Sequence, residues 1–310
     1  MAQPIDWNDP NLAGAVRVVP KDAYDGPINV SRWRHARVMP GLGECLAYPL
    51  GDGPGVGLLI FLPPFLWLFT LPLFDVISLM DPLGRANWAI GLLVMPIFLP
   101  MMFGFAMVLG YCLLYLGLML VASSMGENDH PRWPEWNPSD ISEGIGRWLW
   151  AAIFGLILGG FPVVLYWINC GDIDWIDRII FVELMMLGTS YTLMALAAAL
   201  LHEQIIAANP FIVLRSIVRV GWDFVFPSLV ASVAVAIAVV MIWALLYRLP
   251  SMWIEAVAMW AFWVVALYLL MVVIRMLGLT YHAHARDLGW FRRRPKWATT
   301  QRQGTIYGNS

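Results

Sequence analysis

Charged residues are scarce in this sequence. Lysine, arginine, aspartate and glutamate make up only 13% of the 310 residues, whereas 60% are hydrophobic and the mean hydropathy is +0.69. An ordinary soluble domain carries about 25% charged residues. The formal net charge of −2 also argues against a nucleic-acid partner, which requires a basic surface. The composition therefore predicts an integral membrane protein that contacts the lipid bilayer and no nucleic acid.

Cysteines and catalytic motifs are equally scarce. Cys45, Cys112 and Cys170 show no CxxC spacing, which argues against a disulfide framework and a zinc site. Cys112 is predicted to be a small apolar residue facing lipid or another helix. GxSxG, HExxH, the P-loop pattern and the dinucleotide-binding glycine pattern are all missing. We therefore predict a protein that is not an enzyme, with no catalytic residues, metal or cofactor.

Long apolar runs are what the sequence has in abundance. A helix needs about 20 apolar residues to cross the hydrocarbon of a bilayer. Six segments satisfy this requirement: residues 56–80, 92–124, 145–168, 178–201, 226–247 and 253–279. They predict an all-α, polytopic membrane helical bundle. Its domains are a tail and membrane-approaching segment over 1–50, a six-span domain over 51–285 and a basic tail over 286–310.

Prolines interrupt the early spans. Pro96 and Pro100 lie near the start of the second apolar segment. They predict a kinked or tilted span. A re-entrant segment over residues 88–100 is the alternative.

The distribution of lysine and arginine predicts the orientation, because short cytoplasmic loops retain positive charge. With six spans and both termini on one side, that side collects 16 of the 19 basic residues. Only Arg85, Arg178 and Arg248 fall on the other side. We expect a multi-pass protein of the cell membrane, such as a bacterial inner membrane, with the N-terminus and the C-terminus in the cytoplasm.

An amphipathic segment joins spans four and five. Asn209 followed by Pro210 is typical of a helix start. Arg215 and Arg219 then fall four residues apart on one face of a helix. We predict a helix over 210–222 that lies in the membrane interface. The alternative is that this segment merely extends span five.

Acidic residues within the spans are candidates for an ion or proton path. Asp75, Glu183 and Glu255 all fall towards the side opposite the termini. Ionisable groups at membrane depth are costly and often functional. The competing interpretation is that each carboxylate lies near enough to a span end to reach interfacial water.

Histidines supply the weak candidates for haem or metal ligands. His202 ends span four, and His282 and His284 follow span six on the same side. Paired histidines on different helices can hold haem. The competing interpretation is that these histidines face water or headgroups at helix ends, as the neighbouring Arg286 suggests.

The segment GENDHPRWPEW, residues 126–136, is polar and rich in proline between two apolar spans. Trp133 and Trp136 are predicted to anchor it at the headgroup level. Ser139 or Asp140 is predicted to cap the following helix. We interpret the segment as a structured interfacial turn, with a partner-binding surface formed by these tryptophans, Arg215 and Arg219 as the alternative.

The segment around this loop resembles the domain of unknown function 4013 family of bacterial and archaeal membrane proteins. The matching positions are Gly110-Tyr111, Gly126-Glu127, Pro134-Glu135-Trp136, Asp140 and Gly144. The similarity covers about 45 residues strongly and 45–290 in layout. The resemblance implies a membrane protein and assigns no activity.

Three functions fit these observations. The favoured one is a structural or accessory subunit of a membrane assembly, bound to other membrane-protein subunits or to copies of itself. The second is a transporter or channel-like protein for a small solute, an ion or a lipid. The third is a membrane subunit that carries haem or a metal.

Overall fold

The computed structural model describes residues 41–51, 53–83, 88–127, 131–170, 174–202, 204–246, 252–288 and 290. Within these ranges all regular structure is helical and no strand occurs. The helices belong to one compact unit, residues 35–289. The predicted all-α fold is therefore confirmed.

The described residues of this unit form nine α-helices. Their bounds are α1 Leu42–Gly51, α2 Gly53–Leu83, α3 Trp88–Ser124, α4 Pro138–Gly155, α5 Phe161–Asn169, α6 Trp175–Leu201, α7 Pro210–Val220, α8 Val225–Leu246 and α9 Met252–Leu288. Helix α1 is not predicted by the sequence analysis. A π-helical turn, Leu156–Gly160, joins α4 to α5, and short 3-10 helices flank α7 at Ile205–Ala208 and Gly221–Phe224.

Six segments of these helices are long and apolar enough to cross a membrane. They are Gly53–Thr70, Phe98–Ser124, Pro138–Asn169, Trp175–Leu201, Pro210–Leu245 and Trp253–Ala285. The predicted number of spans is therefore confirmed. Helix α3 continues through Pro96 and Pro100, so residues 88–100 belong to a span and the re-entrant alternative is wrong.

The interfacial segment forms a helix of its own. Helix α7 ends at Val220, because Gly221 adopts a φ of 66° that a right-handed helix does not tolerate. The predicted amphipathic helix over 210–222 is therefore present, two residues shorter than expected. Only the 3-10 turn Gly221–Phe224 separates α7 from α8, and the candidate span Pro210–Leu245 includes both helices, so the interfacial position of α7 stays a prediction.

Glycines bring α4 and the π-helical turn after it into close contact with α6. A Cβ atom at Gly159 would overlap the Cα atom of Gly188, and one at Gly155 would overlap the side chain of Thr192. Small residues allow membrane helices to pack this closely. The neighbouring run 195–200 on α6 is buried throughout. Both segments therefore serve helix packing.

Exposed tryptophans lie at two levels of the bundle. Trp167, Trp175, Trp243 and Trp253 lie near the ends of α5, α6, α8 and α9 that are joined by short connections, and we call them the upper belt. Trp136, Trp150 and Trp222 lie towards the other end and form the lower belt. The 21 residues from Trp222 to Trp243 cover about 31 Å at about 1.5 Å per residue. This length matches the thickness of bilayer hydrocarbon, about 30 Å, and such a pair of belts is typical of a protein that spans a membrane.

Helices α3 and α9 are too long for the membrane alone. Each has 37 residues and therefore extends about 55 Å. Their C-terminal parts are almost fully buried, from Tyr115 to Ser124 and from Met271 to Gly278. A helix that faces lipid keeps apolar side chains exposed on one side. The C-terminal parts of α3 and α9 are instead covered by protein, so they belong to a layer of packed helices and loops near the lower belt. We call the described residues of 42–51, 115–137, 201–224 and 271–288 the basal layer.

Helix α1 belongs to the basal layer and packs on α9. Cys45 is fully buried against Val272 and Met276. The hydroxyl of Tyr268 donates a hydrogen bond of 2.8 Å to the carbonyl of Leu46. The first and last described helices of the chain therefore meet at the same end of the bundle.

Candidate functional site

A buried arginine joins three helices of the basal layer. Arg275 on α9 is only 1% exposed. Its Nη1 atom donates to the Oγ atom of Ser123, at 3.1 Å, and to the carbonyl of Glu127. Its guanidinium carbon lies 4.3 Å from the centre of the Tyr48 ring on α1. Arg275 therefore links α1, the end of α3 and α9.

The arginine meets α3 at its C-terminal cap. The amide of Glu127 donates to the carbonyl of Ala122 at 3.1 Å, and the amide of Gly126 donates to the carbonyl of Ser123 at 3.0 Å. Gly126 has a φ of 75°. These features define a Schellman cap. The cation of Arg275 therefore lies where the dipole of α3 is negative and supplies a donor to the Glu127 carbonyl beyond the cap.

His282 supports the same cap from two turns further along α9. Its Nδ1 atom lies 3.0 Å from the carbonyl oxygen of Ser124. Because a carbonyl oxygen can only accept, Nδ1 carries a proton and donates this hydrogen bond. A Cβ atom at Gly126 would lie 2.8 Å from the ring. Two features therefore require glycine at position 126: the positive φ of its backbone, and the His282 ring, which leaves no room for a Cβ atom.

Cys45 lies beside this arginine. Burial raises the pKa of the Cys45 thiol to about 11, and the positive charge of Arg275 opposes part of this rise. The thiol is therefore protonated at neutral pH and behaves as a small apolar side chain. The guanidinium of Arg275 thus has a thiol, a hydroxyl, a carbonyl and an aromatic ring around it. The hydroxyl and the carbonyl accept its hydrogen bonds, and the ring face stabilises its positive charge.

Arg275 is one of the 16 basic residues that the positive-inside rule places on the cytoplasmic side. The structure buries it instead. Its partner Ser123 is 152 positions away in the chain, so no local pattern reveals the contact. The only signal in the sequence is an arginine placed before the end of an apolar run.

The loop after α3 folds back along that helix. Trp133 stacks on Tyr115, with ring centres 5.2 Å apart, and Trp136 lies 5.3 Å from Tyr111. The Tyr111 hydroxyl donates to the carbonyl of Pro134 at 2.8 Å. Trp133 and Trp136 thus attach the loop to α3, as an ordered turn requires. The partner-surface alternative for these tryptophans stays a prediction.

The cap of the following helix differs from the prediction. Helix α4 begins at Pro138, and Asn137 is its N-cap, accepting from the Ser139 amide at 3.2 Å. The predicted caps, Ser139 and Asp140, are therefore wrong by two and three residues. Asp140 instead accepts from the Asn137 side chain at 3.1 Å.

The same construction occurs again after α6. The Tyr191 hydroxyl donates to the carbonyl of Ala208 at 2.9 Å, just before Asn209 caps α7 by accepting from the Phe211 amide at 3.0 Å. In both places the hydroxyl of a tyrosine on a span donates to a backbone carbonyl of the loop that follows the span. Each loop then ends at an Asn-Pro pair that starts the next helix. The dipeptide Asn-Pro marks both helix starts. It predicts the start of α7 at Asn209, and the same dipeptide at Asn137 is the signal for α4 that was overlooked.

Helix α7 presents three different faces. Val213, Ser216 and Val220 are buried against the bundle. Phe211, Leu214 and Val218 form a second, exposed apolar face. Arg215 and Arg219 form a third face, about 100° further around the helix. This division fits a helix lying between protein, lipid and water.

The two arginines of α7 differ in their contacts. Arg219 donates to the carbonyl of Leu288 at 2.8 Å and so caps the C-terminus of α9. Arg215 is exposed. Arg219 is exposed as well, so both arginines present charge outward, and Arg219 is in addition held by its hydrogen bond to Leu288.

The candidate histidine ligands have separate partners. The Nε2 atom of His284 lies 2.9 Å from the carboxylate of Asp223, and its Nδ1 atom lies 3.1 Å from the carbonyl of Thr280. His202 is half-buried, and this burial lowers its pKa. In the part of the chain that the structure describes, no three histidine, cysteine, aspartate or glutamate side chains are grouped to hold a metal ion. The haem and metal hypothesis gains no support from these positions.

The three candidate acids lie in different surroundings. Glu183 is exposed on α6, and Glu255 is half-buried three residues after the start of α9. Asp75 lies on α2, but its side chain is outside the described residues. A common ion or proton path through these acids stays a prediction.

Comparisons with protein families, with curated proteins and with solved structures find no match to this chain. The resemblance to the domain of unknown function 4013 family therefore stays a prediction.

Proposed function

We propose that this chain is a structural or accessory subunit of a larger membrane assembly and performs no catalysis. The observation that carries the proposal is the basal layer. Arg275 joins the first helix, the end of α3 and the last helix into one buried cluster. A protein that holds its first and last described helices together on a fixed support is suited to presenting that surface to another subunit.

The two terminal segments supply the chemistry for such contacts. The described helices begin at Leu42 and end at Leu288, both within the basal layer. Residues 1–40 contain five basic residues and four aspartates, whereas residues 291–310 contain five basic residues and no acid, so the excess of positive charge lies in residues 291–310, with the run Arg292-Arg293-Arg294. Acidic loops of a partner subunit, or anionic headgroups beside it, are complementary to these charges.

In this proposal the basal layer faces the cytoplasm, and the protein resides in a cell membrane such as the bacterial inner membrane. Arg132, Arg215 and Arg219 lie in the basal layer, as do both ends of the described bundle. Arg178 lies at the opposite end. The positive-inside rule then assigns the basal layer to the cytoplasm.

Purification from native membranes tests the proposal. The full-length protein is isolated after mild cross-linking, and the co-purifying polypeptides are identified and counted. A matched variant replaces Arg292, Arg293, Arg294 and Lys296 with glutamine. Its control, Arg178→Gln, removes one exposed charge at the other end of the bundle.

We expect one or more membrane polypeptides at a fixed ratio to the intact chain. The tail variant loses them, whereas Arg178→Gln retains them. Isolation of the intact chain alone from cross-linked membranes contradicts the proposal. Solute or ion flux through vesicles that contain only this chain favours the transporter instead.

A further inference from the structure

Glu183 lies within Trp175–Leu201, a helix long and apolar enough to cross a membrane. Helix α6 begins at Trp175 in the upper belt, and Glu183 follows eight residues later, about 12 Å along the helix axis. Side chains on a helix tilt towards its N-terminus, so the carboxylate reaches back by a few ångströms and stays below Trp175. The next charged residue in the sequence is Glu203, at the far end of the span.

The carboxylate faces away from the bundle. Glu183 is exposed in the centre of an apolar stripe on α6 formed by Ile176, Ile179, Val182 and Leu187, which are each about half exposed. The other side of the helix packs through Gly188 and Thr192 against the π-helical turn and α4. Glu183 is therefore not directed at an internal path between these helices.

Nothing among the described residues neutralises this carboxylate. Glu183 forms no hydrogen bond or ion pair with them, whereas Asp177, two turns earlier on the same helix, accepts from the Tyr166 hydroxyl at 2.6 Å. An ionisable side chain exposed to lipid is costly and is normally covered by a partner. The exposed stripe with an acid at its centre therefore needs a complementary surface.

A second copy of this chain does not supply that surface from its described spans. Arg275 is buried, Arg147 pairs with Glu143, and Arg178 lies about 8 Å closer to the upper belt than Glu183. No exposed lysine or arginine within the described spans matches the depth of Glu183. Within the described residues, this chain therefore does not supply the complementary charge.

We propose that Glu183 is the centre of a contact with a transmembrane helix of another subunit, which carries a lysine or an arginine at the same depth. The stripe of Ile176, Ile179, Val182 and Leu187 packs against the apolar side chains of that helix. This inference rests on the proposed accessory function and names the membrane face that the assembly uses.

Photo-cross-linking in native membranes tests this contact. A photoreactive residue replaces Ile179, one turn from Glu183, in the otherwise full-length chain. A control chain carries it at Val240, which is exposed on α8. The expected product from position 179 joins this chain to an apolar peptide of another protein that contains a lysine or an arginine.

The charge itself is tested by substitution. Glu183→Leu removes the carboxylate and keeps an apolar exposed side chain, so folding is retained and is checked by size-exclusion chromatography. We expect the yield of the product from position 179 to fall about tenfold, whereas Glu255→Gln leaves the yield unchanged. Glu183→Lys abolishes the product, and an acidic residue in place of the partner's cation restores it.

Products formed only with lipid or with a second copy of the chain overturn the inference. So does a yield that Glu183→Leu leaves unchanged. If the partner subunit still co-purifies in either of these cases, the accessory function stands and only the face assigned here is wrong. If the intact chain has no partner at all, both proposals fail.

Discussion

Replacing Arg275 with methionine removes the guanidinium that joins α1, α3 and α9 while keeping an unbranched apolar side chain in its place. The carbonyl of Glu127 and the hydroxyl of Ser123 then lose a donor in a buried setting. Each such loss costs about 1–3 kcal/mol. The variant also loses the contact between the cation and the Tyr48 ring, which is worth up to about 2 kcal/mol when desolvated.

A gain opposes these losses, because methionine does not carry the desolvation cost of a buried charge. We therefore expect the free energy of unfolding to fall by about 2–4 kcal/mol. Arg275→Lys keeps the charge and loses the planar stacking on Tyr48, so its effect is smaller. Arg215→Met is the control, because Arg215 is exposed and a surface substitution changes stability by about 0.5 kcal/mol or less.

Equilibrium unfolding in lipid discs or mixed micelles measures these differences. All four proteins are compared under one condition, so that the reference state is shared. If Arg275→Met and Arg215→Met are equally stable, Arg275 does not hold the basal layer together.

Three further predictions concern the same end of the bundle. Gly126→Ala lowers the unfolding temperature, because it forces a positive φ on alanine and presses on the His282 ring, whereas Gly43→Ala, with open space around it, leaves that temperature unchanged. Tyr111→Phe and Tyr191→Phe each lower the free energy of unfolding by about 1 kcal/mol, because each variant loses one hydrogen bond. Unchanged stability in both variants means that these tyrosines do not hold the following loops against the spans. Cys45 resists labelling by maleimide in the folded protein between pH 7 and pH 9, because little thiolate forms below its pKa of about 11. Labelling is measured by mass spectrometry, and rapid labelling at pH 7 contradicts the buried position of Cys45.

The spans of this protein follow from local features of the sequence. Hydrophobic length identifies all six, because the requirement to cross about 30 Å of hydrocarbon acts on each segment separately. Asn209-Pro210 identifies the start of α7 for the same reason, since a cap depends on neighbouring residues. Asn137-Pro138 is the same signal, but Ser139 and Asp140 are also good capping residues and concealed it.

The basal layer could not be predicted in this way. Its helix α1 contains Pro49 and is flanked by glycines, which argue against a helix when read locally. The packing of Cys45 on α9 overrides that preference. The Arg275 cluster joins positions 48, 123, 127 and 275, and only the folded bundle brings them together.

The mass of the particle released from native membranes tests the central claim most directly. The chain alone has a mass of 34.9 kDa. For an accessory subunit, native mass spectrometry of lipid discs cut from the membrane gives a larger particle that contains at least one different polypeptide at a fixed ratio. A particle that contains this chain alone, as one copy or several, contradicts the account.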